Sequence, residues 1–262
     1  MKTIEKRIIK ILSRIFFLRD CCPILYYHDI VEDGQGLSYQ HTDESVFELH
    51  MRKLAEWGIQ TITFNDIQNN PGVLKQKNIV VICFDDGYRS NYLKAFPICK
   101  KYGIKFNIFV AGKYVSESSQ DYISVEQMRE MYNSKIVGIG AHTWNHVDCC
   151  MMQEQDYAIE VEKENHFLRE VLGDGATTDF CFPYGSYSRS VLNKLDDMQC
   201  YQRVYTSDNA KNSVMKHCMK IGRVAVENTD DEKWFREKVY GYFAPYRFLK
   251  KLKSVLARGS SK

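Results

Sequence analysis

The sequence has no Cys-x-x-Cys pair, although it contains nine cysteines in 262 residues. Two pairs, Cys21/Cys22 and Cys149/Cys150, are adjacent, a spacing that rarely forms structural disulfides or zinc knuckles. No secretory hydrophobic segment stands near the start, and no apolar run approaches the roughly 20 residues that a membrane-spanning helix needs. We therefore expect reduced thiols in a cytoplasmic protein that is neither exported nor membrane-spanning.

Internal repeats and low-complexity linkers are also missing, which favours a single domain. The hydrophobic fraction of 44% is sufficient for a large core. Strand-like and helix-like segments alternate about seven times over residues 23–226, including a long polar helix over residues 153–172. This order is typical of βα units with right-handed crossovers, and it predicts an α/β fold with a parallel sheet or barrel.

The formal net charge of +3 is unevenly distributed. Residues 1–20 carry six basic and two acidic side chains, and residues 247–262 carry six basic side chains and no acid, so the middle is acidic. Apolar residues recur at helical spacing at both ends: Ile4, Ile8, Ile11 and Ile15, then Phe248, Leu252, Val255 and Leu256. This predicts a basic amphipathic helix over residues 1–20 and a basic amphipathic tail over residues 244–262.

These two ends flank a predicted domain over residues 21–243. Basic amphipathic helices suit an anionic membrane surface, so we expect peripheral association at the inner membrane face. The alternative is that each apolar stripe packs against the domain. Nucleic acid is not an expected partner, because the body is acidic and has no nucleic-acid motif.

Two adjacent acids, Asp85 and Asp86, follow the apolar run of residues 79–84. The run does not alternate with polar residues, so it predicts a strand buried on both faces that ends at a sheet rim. Two like charges at such a rim are usually compensated by a cation or a reacting group. An Asp-Gly turn beside a helix cap is the alternative interpretation.

Another predicted strand ends at His142 and continues "HTWNH" to His146. A turn of helix would bring both imidazoles to one face. One carboxylate and two histidines are a common ligand set for a divalent metal, with Zn²⁺ the first choice and Co²⁺, Ni²⁺ or Fe²⁺ admissible. An isolated HxxxH motif is weak evidence for a metal site. Here the motif follows a predicted strand end, as the two aspartates do, and this shared position strengthens the prediction.

A third predicted strand ends in Pro183, Tyr184 and Gly185. Proline and glycine around an aromatic residue favour a rigid turn whose backbone N–H can point into a site. An ordinary aromatic turn would show the same residues.

The motifs "FDDG", "HTWNH" and "FPYG", in this order, resemble the first three motifs of the polysaccharide deacetylases, carbohydrate esterase family four. The resemblance covers residues 23–226 and implies a distorted (β/α)7 barrel. It also implies that Asp86, His142 and His146 hold the metal and that Asp85 is the general base. The backbone N–H of Tyr184 would stabilise the oxyanion. "ILYYHDI" resembles the opening strand of a subgroup that deacetylates β-1,6-linked poly-N-acetylglucosamine.

The sequence departs from this family at the later motifs. Cys181 stands where many members have an arginine that orients the base, and the Asp-Trp and Leu-x-His motifs have no clear counterpart. Without that histidine another general acid is needed, and His28 at the end of the first strand is preferred over His217. A structural histidine bonded to Asp29 or to the backbone is the alternative for His28.

These observations predict a metal-dependent N-deacetylase that hydrolyses the amide bond of an N-acetylated sugar. A lipid-linked or nucleotide-linked glycan, in capsule or O-antigen assembly, is the expected substrate. Pro183, with an aromatic wall of Trp144, Tyr184 and Tyr187, would bind the sugar. A non-catalytic glycan-binding module and an amidohydrolase acting on a non-sugar amide are the alternatives.

Overall fold

The apolar run that precedes Asp85 forms a strand with both faces buried, as its composition predicts. A computed structural model describes residues 22–240, except 77, 118, 174–177 and 209–211. The predicted amphipathic ends, residues 1–20 and 244–262, lie outside the described residues. In the described part of the chain, no helix combines the length and the apolar character needed to cross a membrane.

The strands run in chain order as β1 (Ile24–Tyr27), β2 (Asp29–Val31), β3 (His41–Asp43), β4 (Gln60–Thr61), β5 (Ile79–Phe84), β6 (Phe106–Val110), β7 (Val137–Ala141), β8 (Asp179–Cys181), β9 (Arg203–Thr206), β10 (Ser213–Val214), β11 (Met219–Gly222) and β12 (Val224–Ala225). The α-helices are α1 (Glu44–Glu56), α2 (Phe64–Asn69), α3 (Phe96–Tyr102), α4 (Gly112–Ser116), α5 (Val125–Asn133), α6 (Glu164–Leu172), α7 (Arg189–Met198) and α8 (Glu232–Val239). Two π-helical segments precede α3 and α6, at Asn91–Ala95 and Ala158–Lys163.

The barrel closes through one strand that changes partner at Arg223. β11 pairs in parallel with β9, β12 pairs in parallel with β1, and Arg223 is the only residue between them. Among the described residues, the barrel wall has seven parallel strands, or staves: β1, β5, β6, β7, β8, β9 and this divided strand. The predicted α/β fold and distorted (β/α)7 barrel are therefore confirmed.

The side chains of each stave point alternately into two separate apolar layers. On β5, Val81 and Cys83 belong to the barrel interior, and Val80, Ile82 and Phe84 pack in the layer under the helices. Successive side chains point to opposite faces, so a stave covered on both sides is apolar throughout. Because the carboxyl ends of parallel staves meet at one end of a barrel, the polar residues that follow them come together there.

A buried ion pair fills the opposite end of the barrel interior. Arg203 donates to both carboxylate oxygens of Asp179, at 2.6 Å from Nε and 2.7 Å from Nη2. Tyr205 donates its hydroxyl hydrogen to Asp179 at 2.8 Å. All three side chains are buried.

Two local predictions differ from the structure. The long polar helix over residues 153–172 is divided into a short 3-10 turn (Glu154–Asp156), the π-helical segment and α6. The predicted strand "QTITF" pairs only at Gln60–Thr61, because Thr63 and Asp66 form a capping box that starts α2.

Candidate active site

The carboxyl end of the barrel contains a small cleft of about 80 Å³. Its walls come from most of the staves, because each contributes the residue or turn that follows its last paired position. The lining residues are Tyr26, His28, Tyr39, Gln40, Asp85, Asp86, His142, His146, Tyr184, Gly185, Ser207 and Arg223. The three predicted motifs therefore meet in one place.

Asp86, His142 and His146 lie together as a group of potential metal ligands. Oδ1 of Asp86 is 3.3 Å from Nε2 of His142 and 3.0 Å from Nε2 of His146. Nδ1 of His142 lies 2.8 Å from the carbonyl oxygen of Cys181, so this nitrogen donates and leaves Nε2 as an acceptor facing the carboxylate. Acceptors that converge on one point, from two imidazoles and a carboxylate, fit a divalent cation.

Burial alone would raise the pKa of Asp86, but the neighbouring imidazoles of His142 and His146 outweigh it and lower that pKa. The carboxylate is therefore ionised at neutral pH. An ionised carboxylate is the form that binds a metal.

A non-helical turn, not the expected turn of helix, brings His142 and His146 together. Thr143 and His146 have positive φ angles of 62° and 55°, which a helix does not permit. Asp86 (φ 72°) and Tyr184 (φ 58°) share this conformation. Four of the six positive-φ residues other than glycine in the described chain thus lie in the three motifs, where backbone strain often marks functional sites.

Glu160, from the π-helical segment before α6, holds this turn in place by hydrogen bonds. Its carboxylate accepts hydrogen bonds from the backbone N–H and the side-chain amide of Asn145, at 2.9 and 2.6 Å. Its carbonyl oxygen accepts from the backbone N–H of Trp144 at 3.1 Å. Through Glu160, the π-helical segment is therefore hydrogen-bonded directly to the turn that contains both histidines.

Asp85 is held by Arg223 in a bidentate ion pair. Nη1 and Nη2 of Arg223 lie 2.6 and 2.8 Å from the two carboxylate oxygens. The guanidinium is sandwiched between the rings of Tyr26 and Phe109, 4.3 and 5.3 Å from their centroids. Burial would raise the pKa of Asp85, and the charge and hydrogen bonds of Arg223 outweigh it and lower that pKa. Asp85 is thus an ionised, oriented carboxylate.

Arg223 replaces the arginine whose position in the sequence is taken by Cys181. Nη2 of Arg223 lies 2.8 Å from Sγ of Cys181, so the guanidinium occupies the space beside that thiol. The sequence feature that could have indicated a role for Arg223 is its positive charge inside the apolar segment "IGRVAV". Its partner could not be inferred, since Asp85 lies 138 residues earlier.

His28 lies in the cleft, with Nε2 3.9 Å from Oδ2 of Asp85. Its carbonyl oxygen accepts from Asn91 at 2.9 Å, while Asp29 accepts from Ser90 at 2.6 Å. Burial lowers the pKa of His28, opposed by the charges of Asp85 and Asp86. The other candidate acid, His217, is exposed and is not among the residues of the cleft.

Pro183–Gly185 forms a short 3-10 turn that places Tyr184 at the mouth of the cleft. The ring of Tyr184 meets His146 edge to face at 4.8 Å between centroids. Gly185 has no space for a side chain, because an added Cβ would lie 1.6 Å from Oγ of Ser207. The turn is therefore specified by close backbone approach as well as by its proline.

The structure does not bring Trp144 and Tyr187 into the cleft. Trp144 packs edge to face against Phe167, and Nζ of Lys163 lies 3.8 Å from the centre of its ring. Tyr187 packs against Phe182 and donates its hydroxyl hydrogen to Asp208 at 2.7 Å. Tyr26, Tyr39, Gln40 and Ser207 line the cleft instead, and no motif in the sequence pointed to them.

Comparison with known sequences relates this chain to polysaccharide deacetylases. Residues 73–202 match the polysaccharide deacetylase family. YxkH of Bacillus subtilis (strain 168), which is named as a polysaccharide deacetylase, is 31% identical over 206 residues, covering 78% of this chain and 71% of YxkH. A poly-β-1,6-N-acetyl-D-glucosamine N-deacetylase of Escherichia coli (strain K12) is 24% identical over 134 residues, or 45% of this chain and 20% of that protein.

Among solved structures, the Streptococcus pyogenes deacetylase PplD, determined in complex with acetate, superposes with a TM-score of 0.74. Its sequence is 21% identical, and the match covers 84% of this chain and 98% of PplD. At this identity the likeness concerns the fold.

Proposed function

Because the chain belongs to the polysaccharide deacetylase family, whose members hydrolyse N-acetyl amide bonds, we propose that it is a metal-dependent N-deacetylase of an N-acetylated sugar. One observation carries the proposal. The buried Asp85–Arg223 pair and the Asp86, His142 and His146 group open onto the same cleft. A base and a cation site are the two elements that amide hydrolysis by water requires.

Asp86, His142 and His146 would hold the cation, and Zn²⁺ suits this mixed nitrogen and oxygen donor set. When bound, the cation would polarise the acetyl carbonyl and make water more acidic. The chain supplies the remaining functions.

Asp85 is assigned as the general base. Arg223 keeps it ionised and fixes the plane of its carboxylate, so the proton of the attacking water has a defined acceptor. The water oxygen forms a bond to the amide carbon as Asp85 takes the proton. The backbone N–H of Tyr184 would donate to the carbonyl oxygen as it becomes an oxyanion.

His28 is assigned as the general acid. As the C–N bond breaks, the leaving amine needs a proton, and His28 stands on the cleft wall beside Asp85. Nε2 of His28 lies 3.9 Å from Oδ2 of Asp85, and in the proposed reaction the proton that Asp85 takes from water passes to the leaving amine through this imidazole. The products are acetate and a free amino sugar.

The alternative interpretation, a non-catalytic glycan-binding module, rests on the absence of the later family motifs. Arg223 now orients the base from another strand, and His28 offers an acid from the first strand. Both observations favour an enzyme.

We further propose that the substrate is a lipid-linked or similar glycan in surface polysaccharide assembly, at the inner face of an anionic membrane. The basic amphipathic sequences of residues 1–20 and 244–262 support this proposal. Co-sedimentation with anionic liposomes, compared with a variant that lacks both segments, tests it. Equal binding by the two proteins would contradict it.

Acetate release from N-acetylglucosamine oligomers tests the enzymatic proposal. The wild type, reconstituted in turn with Zn²⁺, Co²⁺, Ni²⁺ and Fe²⁺, should release acetate, and Asp85→Asn should lose at least 100-fold in kcat (10²- to 10⁴-fold is typical of a general base). The matched control is Asp197→Asn, since Asp197 is an acid of α7 outside the cleft. Absence of acetate from every reconstituted form would reject the proposal.

A further inference from the structure

Two tyrosine rings at the mouth of the cleft are largely exposed to solvent. Tyr39 is 75% exposed and Tyr184 is 68% exposed, and they are the two aromatic members of the exposed large hydrophobic side chains in the described chain. Both line the same cleft. Aromatic rings are favourable to bury, so two exposed rings at one opening indicate a ligand that covers them.

The two rings stand on opposite sides of the reacting centre. Tyr39 meets His28 edge to face, with 6.1 Å between centroids and 90° between planes. Tyr184 meets His146 at 4.8 Å and 66°. His28 lies beside Asp85, whereas His146 lies beside Asp86, so the tyrosines flank the pair of aspartates.

The loop that carries Tyr39 is fixed despite its exposure. It spans residues 32–40 and connects β2 to β3, which pair in parallel. The backbone N–H of Asp29 donates to the carbonyl oxygen of Gln40 at 3.0 Å, directly after Tyr39. The carboxyl end of this loop is therefore tied to the residue that follows His28.

Gly36 anchors the middle of this loop. Its N–H donates to Asp43 at 2.6 Å, and its carbonyl oxygen accepts from Asn228 at 3.1 Å. A Cβ at this position would lie 2.1 Å from Nδ2 of Asn228. An exposed ring on an anchored loop loses little conformational freedom when it binds, which favours affinity.

The size of the cleft indicates what the rings cover. A cavity of about 80 Å³ can accept an acetamido group but is too small for a hexose ring. A sugar whose acetamido group enters the cleft must therefore keep its ring at the rim, between Tyr39 and Tyr184. The C–H faces of a pyranose pack well against aromatic rings, and its hydroxyls stay in water.

We propose that Tyr39 and Tyr184 form an aromatic clamp for the pyranose ring of the amino sugar, and that Tyr39 makes the site specific for a sugar over an acyclic amide. This inference rests on the proposed deacetylase function. The clamp contacts the ring and not the reacting amide, so its loss should weaken substrate binding more than it slows the chemical step.

The test compares an N-acetylglucosamine oligomer with N-acetylethanolamine, an acyclic amide. Tyr39→Ala should raise KM for the oligomer by on the order of tenfold, with kcat nearly unchanged and no effect on the acyclic amide. Tyr39→Phe keeps the ring and should restore the KM. Leu37→Ala is the matched control, because Leu37 is 93% exposed on the same loop but does not line the cleft. Equal losses on both substrates, or no change in KM, would overturn the clamp.

Binding separates failure of the clamp from failure of the proposed function. Calorimetry with the oligomer is done on Asp85→Asn and on Asp85→Asn/Tyr39→Ala. Binding that depends on Tyr39 supports the clamp even where the wild type releases no acetate. Binding that does not depend on Tyr39 rejects the clamp alone, and absence of both binding and acetate release rejects both proposals.

Discussion

Asp85 and Arg223 join the first motif to the strand that closes the barrel. Asp85 follows β5, and Arg223 is the residue at which the last stave leaves β9 and pairs with β1. Both side chains are buried, at 4% and 1% exposure. One residue thus lies at the point where the barrel closes and also orients the proposed base.

Replacement of Arg223 by lysine should reduce activity far more than it reduces stability. Lysine keeps the charge but cannot form two parallel hydrogen bonds, so the carboxylate of Asp85 loses its fixed plane. We expect kcat to fall by on the order of 100-fold, the effect of a misplaced reacting group. Initial rates and urea unfolding measure the two effects.

Arg203→Lys is the matched control for this prediction. It alters the other buried Arg–Asp pair of the barrel interior, at the end remote from the cleft. It should cost a similar free energy of unfolding, about 1–3 kcal/mol, and leave kcat within roughly twofold. Equal effects of both variants on kcat would mean that Arg223 contributes only to the fold.

The proximity of Asp86, His142 and His146 could be predicted from the sequence because these residues follow staves. One apolar run is followed by Asp85 and Asp86, and a second is followed by His142. If both runs form parallel strands of one barrel, their carboxyl ends lie at the same end of it, and these side chains meet there. Arg223 could not be assigned, since its partner is set by barrel closure. Trp144 is not among the residues that line the cleft, and its ring packs against Phe167.

His146→Ala should remove the metal without unfolding the barrel. His146 supplies one of three converging donors and lies in a turn, whereas the staves remain intact. Metal affinity should fall by more than the roughly 10- to 100-fold that loss of an outer partner costs. Mass spectrometry gives metal content, and His217→Ala, an exposed histidine outside the cleft, should retain the full amount. Equal metal content in the two variants would remove His146 from the ligand set.

Gly185→Ala should destabilise the turn that carries Tyr184. The added Cβ would meet Ser207, and φ at this position is 62°. We expect a loss of about 2–5 kcal/mol in the free energy of unfolding, from overpacking and from the left-handed backbone. Ser207→Gly removes the clash but not the backbone cost.

A double-mutant cycle of Gly185→Ala and Ser207→Gly separates these two costs. The favourable coupling energy should be about 1–3 kcal/mol, the part that comes from the clash. A coupling energy near zero would show that Ser207 moves aside freely and that the backbone conformation alone requires glycine.

Stability should fall between pH 7 and pH 5 because of His50, which is buried on α1. Burial lowers the pKa of His50 from 6.5 to about 4, although the nearby carbonyl oxygen and charge of Asp230 oppose the shift. Nε2 donates to that carbonyl at 2.8 Å, and Tyr27 donates its hydroxyl hydrogen to Nδ1 at 3.0 Å, so the ring is held neutral. Between these pKa values the unfolded chain binds more protons than the folded chain.

The contribution of neutral His50 is therefore complete above pH 6.5 and is lost as the pH falls towards 4. One pKa unit corresponds to about 1.4 kcal/mol, so the free energy of unfolding should fall by roughly 2 kcal/mol between pH 7 and pH 5. Urea unfolding at both pH values measures this change. His50→Gln should flatten the dependence by that amount, and His217→Gln should not. An unchanged slope in His50→Gln would show that another group governs the acid sensitivity of the barrel.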